Sequence, residues 1–274
     1  MIQFIKYQAA GNSYLIVKEE NQLLSTLEAK QICDPNYGVG SDGVICWQKQ
    51  NDSEPSVKVA IFNPDGSQAE KSGNGLRILA TYLFEYIFKN TTKIILNTDD
   101  NPVTVNRLSS GSILLDMGRV VALFKLNQVD RFGHSIAKHT LKTPLGSISG
   151  YPVSLGNPHF VVFREKLSKD DIQLWGPHIE NHPAFSNRTN VQFAKVTQRD
   201  HINAEIWERG VGYTLSSGSS SCAIAAVAHQ LGYCDSGITV SMPGGELSVE
   251  IKEDKSVFLT GPVSKTVDGV FYLS

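Results

Sequence analysis

The sequence predicts an α/β fold of the α+β type, with two pseudo-symmetric domains that each curve a mostly antiparallel sheet around a central buried helix. Short apolar segments that alternate with polar residues recur along the chain between Gly, Asn or Pro, a pattern typical of strands and turns. Two almost wholly apolar runs, 76–84 and 222–228, are typical of buried helices. Each run follows a Ser-Gly pair, and the separation of Ser72 from Ser217, 217 − 72 = 145, is close to half of 274 residues, which indicates a duplication.

The first half of the chain contains seven predicted strands and two predicted helices. Apolar spacing of three and four residues predicts helices over 22–33 and 75–88. Alternation with a period of two predicts strands at 3–7, 14–17, 43–47, 57–62, 92–97, 103–108 and 112–117.

The second half repeats this scheme, with a buried helix over 220–231. Its strands are predicted at 151–155, 160–163, 190–195, 202–207, 238–241, 246–250 and 257–259. The domains are predicted at 1–117 with 263–274, and at 118–262, the segment 120–131 forming the entry to the second. Because no Gly-, Ser- or Pro-rich linker separates the halves, we expect them to pack closely with a ligand site between them.

Composition restricts the class of partner. The chain is 41% hydrophobic and 19% charged, as expected for a globular protein, and its net charge of −2 without Lys/Arg clusters argues against nucleic acid or an anionic membrane. The first twenty residues lack the apolar core of a signal peptide, and no apolar run reaches the roughly 20 residues of a membrane helix. A cytoplasmic protein with a small-molecule ligand is expected. The four cysteines show no C-x-x-C spacing and are predicted to be reduced structural thiols, which leaves no predicted metal site.

The two Ser-Gly motifs are candidates for a paired catalytic device. A helix N-terminus presents unpaired N–H groups and the positive end of a dipole, so two such termini at one cavity would hold a carboxylate and place two hydroxyls near its α-carbon. Ser is also a favoured N-cap, and capping explains either motif alone equally well.

Several Asn residues lie in short Gly- or Pro-containing motifs, where an Asn is most often a turn residue. Taken with the guanidinium of Arg209, their amides would suit the amino and carboxylate groups of an amino acid. The residues are Asn12 in AGNSY, Asn63 in FNPDG, Asn157 in GNPH and Asn190 in TNV, with Glu208 and Arg209 in WERGVG.

Together these motifs resemble those of the diaminopimelate epimerase family, from Lys6 to Val263. The resemblance implies the two-domain fold described above, an amino-acid substrate, a homodimer and no cofactor. It also implies that the positions of Ser72 and Ser217 carry the acid and the base that move the α-proton. Members of the family usually have Cys at both positions.

The resemblance further implies roles for the residues around this pair. His159 and Glu208 would lie beside the catalytic residues, and Gly73, Asn74, Gly218 and Ser219 would hold the reacting carboxylate. Substrate binding, chiefly at the distal amino-acid centre, is implied for Asn12, Asn63, Asn157, Asn190, Glu208 and Arg209.

The chain departs from the family at the catalytic positions. Ser replaces both thiols, Lys71 and Ser216 precede them, and Tyr213 stands where the family commonly has Glu. A thiol titrates near 8.5 and a Ser hydroxyl several units higher, so an alkoxide would need a neighbour such as His159 or Glu208 to take its proton. Three interpretations follow: a divergent isomerase that uses the Ser pair, a binding protein that has lost the chemistry, or a protein deliberately substituted to trap its substrate.

Other site classes fit less well. An acyl-transfer Ser would need a His and an acid, and the chain has no G-x-S-x-G elbow. His178 and His182 have i, i+4 spacing without the Glu of a zincin, in a polar segment that is predicted to be a loop. The Gly-rich segment 38–43 lacks the spacing of a nucleotide fingerprint and is predicted to be a turn that supports the pocket.

Overall fold

The structure, a computed structural model, describes residues 1–18, 24–50, 54–68, 72–98, 102–123 and 136–273. Lys71, positions 22 and 23 of the first predicted helix, and the part of the predicted entry segment from 124 onward lie outside the described residues. The chain forms two compact units, Met1–Asp116 with Thr260–Ser274, and Met117–Leu259. The sequence places the corresponding boundaries at 117/118 and 262/263.

The first unit is a sheet whose strands pair in chain order. β1 to β7 cover Ile2–Ala9, Asn12–Lys18, Val44–Lys49, Ser56–Phe62, Lys93–Asn97, Pro102–Arg107 and Ile113–Arg119. β2 is parallel to β3 and β4 is parallel to β5, whereas the other consecutive pairs are antiparallel.

The first unit's helices connect its two parallel pairs, since parallel strands need a crossover. α1 (Thr26–Cys33) joins β2 to β3, and a capping box between Ser25 and Glu28 fixes its start. α2 (Gly73–Tyr82) joins β4 to β5, continues as a π-helical turn over Leu83–Ile87, and packs on β1 and β2. The residues 73–80 of α2 are all buried, as its apolar sequence predicts.

The second unit repeats this arrangement. β8 to β17 cover Val121–Ala122, His139–Thr143, Gly146–Ser154, Pro158–Phe163, Asn190–Gln198, His201–Glu208, Gly212–Thr214, Gly237–Met242, Gly245–Ile251 and Ser256–Thr260. β11 is parallel to β12 across α3 (Lys169–Glu180), and β13 is parallel to β15 across the buried α4 (Gly218–Gln230). β10–β11, β12–β13 and β15–β16 are antiparallel. The order antiparallel, parallel, antiparallel, parallel, antiparallel is thus common to both units, which supports the predicted duplication.

Each unit has a core on the side of its less buried helix. In the first unit, Ala29 and Ile32 of α1 pack with Leu15 and Val17 of β2. In the second, Ile172 and Ile179 of α3 pack with Phe160 and Phe193 of the sheet, among other residues. The predicted mixed fold with mostly antiparallel sheets and a central buried helix in each half is confirmed.

The structure contains elements that the sequence analysis missed. α3 is such a helix, so His178 lies in its last turn rather than in a loop. β8, β9 and β14 are strands that were not predicted. The C-terminal strand β18 (Ser264–Phe271) lies antiparallel to β1 of the first unit, within the segment 263–274 that is predicted to belong to the first domain. In the part of the chain that the structure describes, no helix is long and apolar enough to cross a membrane.

Candidate active site

Ser72 is the N-cap of the buried helix α2. Its backbone is extended, with φ −106° and ψ 111°, and its Oγ accepts a hydrogen bond of 3.1 Å from the Gly75 N–H. The same Oγ lies 3.1 Å from the phenolic oxygen of Tyr14, and either hydroxyl can donate. Ser72 therefore fulfils the capping role that its sequence context favours, and it also has an ionisable partner. We call Tyr14, Gly43, Ser72 and Gly75 the Ser72 cluster.

The Gly-rich loop 38–43 holds the strand that carries Tyr14. Asp42 Oδ2 accepts from the Ser13 amide at 2.6 Å and from the Ser13 hydroxyl at 3.0 Å. Ser41 Oγ donates to the Ser13 carbonyl at 3.0 Å. These bonds fix the start of β2, directly beside Asn12. That the loop supports a substrate pocket stays a prediction.

The other predicted residues of the first unit fall into two groups. Gly73 and Asn74 form the first turn of α2, where Arg77, fully buried, donates to Asn74 Oδ1 at 2.7 Å and to the Gly73 carbonyl at 3.3 Å. Asn63 follows β4 in a turn and donates from Nδ2 to Ser67 Oγ at 3.0 Å. Within this unit Gly73 and Asn74 directly follow Ser72 on the helix, whereas Asn12 and Asn63 lie at strand ends.

Ser217 is the N-cap of α4 and is 5% exposed, but its side chain makes no capping bond. Its Oγ lies 3.5 Å from Ser219 Oγ, at the limit of a hydrogen bond. The Ser217 carbonyl accepts from both the amide and the hydroxyl of Ser221, at 3.0 and 2.9 Å. With Gly218 buried between them, Ser217 and Ser219 form what we call the Ser217 cluster.

His159 is fully buried in a polar network of the second unit. Its Nε2 lies 2.8 Å from Asn157 Oδ1, which can only accept, so the ring proton is on Nε2. Its Nδ1 is 3.0 Å from Gln192 Nε2, which also donates to Ser220 Oγ at 3.0 Å. Burial, and secondarily the charge of Arg209, lower the pKa of His159 to about 3. His159 is therefore neutral at physiological pH with both nitrogens bonded. This state does not suit a group that takes the proton of a Ser hydroxyl, the role for which the sequence analysis named His159 as a candidate.

Asn190 connects two of the predicted substrate-binding motifs. Its Nδ2 donates to the Pro158 carbonyl at 2.9 Å, and its Oδ1 accepts from the Arg209 amide at 3.0 Å. The Arg209 guanidinium donates to the Asn187 carbonyl at 3.1 Å. Asn157, Asn190 and Arg209 are thus brought together within one unit, and Asn190 positions the other motifs through its own amide.

Two further positions of the second unit carry bonds within β13 and β14. Glu208 Oε1 accepts from the Thr214 hydroxyl at 2.9 Å. Tyr213 donates to Glu205 Oε2 at 2.9 Å, and burial followed by this bond raises the pKa of Tyr213 to about 12.

Glu180, at the end of α3, is a buried carboxylate that the sequence analysis missed. Its Oε2 accepts from the Trp207 indole at 2.7 Å, and its Oε1 accepts from the Gly210 amide at 2.8 Å and from Arg188 at 2.9 Å. Trp207 and Gly210 flank Glu208 and Arg209, so Glu180 fixes the turn that presents both. No local pattern in the sequence indicates this role, because Trp207 and Gly210 lie 27 and 30 residues further along the chain.

Comparison with known proteins gives one family. The family model described as Diaminopimelate epimerase matches residues 4–123 and 151–266. The chain is 38% identical over 271 residues to "Diaminopimelate epimerase 2" of Nostoc sp., which covers 98% of this chain and 95% of that relative. It is 34% identical over 276 residues to "Diaminopimelate epimerase" of Elusimicrobium minutum, which covers 98% of this chain and 99% of the relative.

Solved structures with the same fold have much lower sequence identity. A phenazine biosynthesis protein of the PhzF family from Bacillus anthracis aligns with a TM-score of 0.71 at 13% identity, covering 100% of this chain and 99% of that one. A hydroxyproline epimerase from Agrobacterium vitis with bound trans-4-OH-L-proline aligns with a TM-score of 0.70 at 13% identity, covering 98% and 91%. These likenesses establish the fold alone. The family model and the relatives named above show that the chain belongs to the diaminopimelate epimerase family.

Proposed function

We propose that this protein is a cofactor-independent isomerase that inverts the α-carbon of an amino acid, most simply converting LL- to meso-diaminopimelate or acting on a close relative. Ser72 and Ser217 exchange the α-proton, one as base and the other as acid. The observation that carries the proposal is that each Ser is the N-cap of a buried helix, α2 or α4, in a chain of this family.

The helix N-termini suit the chemistry of an α-carbon next to a carboxylate. Removal of the α-proton moves negative charge onto the carboxylate oxygens, and N–H groups at the positive end of a helix stabilise that charge. Gly73 and Asn74 follow Ser72, and Gly218 and Ser219 follow Ser217, so each hydroxyl adjoins such donors. Substrate discrimination at the distal centre is assigned to Asn12, Asn63, Asn157, Asn190 and Arg209.

A second candidate function is binding of the amino acid without epimerisation. The state of His159 favours it, because a buried neutral imidazole with both nitrogens bonded is not available to assist an alkoxide. Glu208 is also bonded, to Thr214. A Ser hydroxyl with no group to take its proton would be a weak base. Several pKa units separate Ser from Cys, and about 1.4 kcal/mol of barrier corresponds to a tenfold change in rate.

Deuterium exchange distinguishes the two. The protein is incubated with LL- or meso-diaminopimelate in heavy water, and α-deuterium is followed by mass spectrometry while calorimetry measures binding. Incorporation supports the isomerase, whereas binding without incorporation refutes it in favour of the binding protein. Arg209→Ala serves as a variant with impaired recognition, expected to lose binding, and affinity equal to that of the unaltered protein would contradict the distal assignment. The homodimer stays a prediction, and light scattering during size-exclusion chromatography of the protein would test it.

A further inference from the structure

The hydroxyl of Ser72 is bonded to one ionisable side chain among the described residues, the phenol of Tyr14 at 3.1 Å. We propose that Tyr14 is the proton-relay partner of Ser72, taking up or supplying the proton that Ser72 exchanges with the substrate carbon. The inference rests on the proposed isomerase function, and it assigns to the first unit a group that the sequence analysis sought in His159 or Glu208.

Packing fixes the Tyr14 ring. Tyr14 is 7% exposed on β2. A Cβ added at Gly43 would lie 2.7 Å from Tyr14 Cε1 and 2.6 Å from the Phe62 carbonyl, so the ring lies against a residue that has to be glycine. The bonds from Asp42 to Ser13, the preceding residue, hold the same segment. The Gly-rich loop thus holds the phenol of Tyr14 next to Ser72, and we infer that positioning Tyr14 is the role of this loop.

A phenol supplies what an isolated Ser lacks. Phenols titrate near 10, closer to a thiol at about 8.5 than to an aliphatic alcohol. Ser72 Oγ already accepts from the Gly75 amide, so its own proton can be directed to Tyr14, and Tyr14 can equally donate to Ser72. The pair can therefore carry a proton in either direction.

Both directions of the relay balance without a further reactant. In proton removal, the Tyr14 phenolate takes the Ser72 hydroxyl proton while Ser72 Oγ takes the α-proton. The C–H bond breaks, its electron pair stays on the carbanion, and the phenol is neutral. In proton return, the phenol protonates Ser72 Oγ as the Ser72 proton moves to carbon, which leaves the phenolate.

Charged and titratable groups on the elements around Tyr14 influence the pH range in which the proton relay works. Tyr7 is paired directly with Tyr14 across β1 and β2, and its phenol donates to Glu85 at 2.9 Å. Burial, followed by that bond, raises the pKa of Tyr7 strongly, so Tyr7 stays protonated over the pH range of the test. Lys6 on β1, Asp42 in the loop and Arg77 on α2 are charged groups on these elements, and Lys6 donates to the Gly40 carbonyl at 2.6 Å. Lys18 on β2, Cys46 and Lys49 on β3, and Tyr82 on α2 are further titratable groups on the neighbouring strands and helix. The buried guanidinium of Arg77, on the helix that Ser72 caps, favours an anion in this cluster.

The test measures α-deuterium incorporation from pH 6 to 10 in the full-length protein, with diaminopimelate as the probe. We expect exchange to rise toward alkaline pH in the unaltered protein, and Tyr14→Phe to lower it at least tenfold and remove the rise. Tyr37→Phe, at a tyrosine that is 90% exposed, is the matched control and is expected to change nothing.

A second background separates the relay from a packing effect. In Ser72→Cys the thiol ionises by itself, so adding Tyr14→Phe should change exchange by less than about threefold in that background. Site-specific replacement of Tyr14 by a fluorinated tyrosine, whose phenol is more acidic, keeps the ring and should shift the alkaline rise to lower pH. If Tyr14→Phe does not fold, the fluorinated tyrosine tests the relay in its place.

Each outcome decides the inference. Equal losses on Tyr14→Phe in the unaltered and Ser72→Cys backgrounds, or an alkaline rise that fluorination leaves in place, would overturn the relay while leaving the isomerase intact. Exchange by Tyr14→Phe equal to that of the unaltered protein would do the same. Binding of diaminopimelate without exchange at any pH would overturn the proposed function and the relay together.

Discussion

Replacement of Glu180 by Gln tests whether this buried carboxylate holds the turn that carries Glu208 and Arg209. Both carboxylate oxygens accept from N–H donors: Oε2 from Trp207 at 2.7 Å, and Oε1 from Gly210 at 2.8 Å and Arg188 at 2.9 Å. A Gln amide has one oxygen. In its best orientation the oxygen keeps Gly210 and Arg188, and the new NH₂ group faces the Trp207 N–H, donor against donor.

The magnitude follows from the bonds that are lost. One hydrogen bond to a charged acceptor contributes about 1.5 to 3 kcal/mol, and the bonds that remain weaken when the charge is removed. The Arg188 side chain is 52% exposed, so its ion pair adds little beyond that because of solvent screening. We expect Glu180→Gln to lower the free energy of unfolding by about 2 to 3 kcal/mol, and hence Tm by about 5 to 10 °C.

Thermal and urea unfolding followed by circular dichroism measure this change. Glu253→Gln, at an exposed carboxylate of the same unit, is the control and should shift Tm by less than about 1 °C. Trp207→Phe removes the same indole donor, so Glu180→Gln should cost about 1 to 2 kcal/mol less in that background. A Glu180→Gln protein within about 0.5 kcal/mol of the unaltered one, or the same cost in both backgrounds, would refute the role assigned to Glu180.

Two further predictions concern the same unit. The pKa of His159 is about 3 in the folded protein and about 6.5 in the unfolded chain. Protons therefore bind the unfolded chain more readily, so the contribution of neutral His159 to stability is complete above about pH 6.5 and is lost as pH falls toward 3. The free energy of unfolding should therefore drop by about 2 kcal/mol from pH 6.5 to 5 in urea titrations, and His159→Gln should lack this slope; identical slopes would contradict it. An added Cβ at Gly176 would lie 2.6 Å from the Trp207 ring, so Gly176→Ala should destabilise by about 1 to 2 kcal/mol despite the better helix propensity of Ala. Gly237→Ala, where a Cβ has no neighbour within 4 Å, is the matched control for the same unfolding experiment, and equal effects at the two glycines would argue against close packing on Trp207.

The elements that the sequence predicted are those whose apolar pattern is strong. The alternation in 57–62 and 202–207 corresponds to strands with one side buried, and the apolar runs after Ser72 and Ser217 correspond to helices buried on all sides. For the C-terminal segment 263–274, only the family resemblance implied a place in the first domain. The residues of β18 are exposed on both faces, so they have no apolar alternation from which a strand could be predicted. The position of β18 is set by its pairing with β1. The bond from the Thr266 hydroxyl to the Lys6 carbonyl joins residues 260 positions apart in the sequence.

α3 shows how local breakers can conceal a helix. Gly176 and Pro177 lie inside it, and both argue against a helix in sequence. The signals in its favour were the N-cap Ser168, the acidic residues of its first turn, and the apolar spacing from Ile172 to Ile179. Packing of Gly176 on Trp207 and of both isoleucines in the core outweighs the low propensity, and this tertiary contribution is absent from a local pattern.

For the candidate site, motifs identified positions but not their partners. The bond from Tyr14 to Ser72 spans 58 residues, and the bonds of Glu180 reach Trp207 and Gly210 at separations of 27 and 30. Such contacts depend on which strands and helices pack together. His159 was predicted as a helper from its motif, whereas its protonation state depends on burial and on Gln192, a residue of another strand.

The two Ser residues occupy equivalent positions in the duplicated units but have different surroundings. Ser72 caps its helix and pairs with a phenol, whereas the hydroxyl of Ser217 makes no capping bond and lies 3.5 Å from that of Ser219. Duplication has thus kept the backbone geometry of a helix N-cap and not the chemistry around it. Under the proposed function each hydroxyl serves as acid in one direction and as base in the other. An ionisable partner at Ser72 and a hydroxyl partner at Ser217 would then make the two proton transfers chemically unequal. The difference arises at Tyr14 and Ser219, not at the Ser residues themselves, so the two units differ in the partner of the hydroxyl and not in the residue that caps the helix.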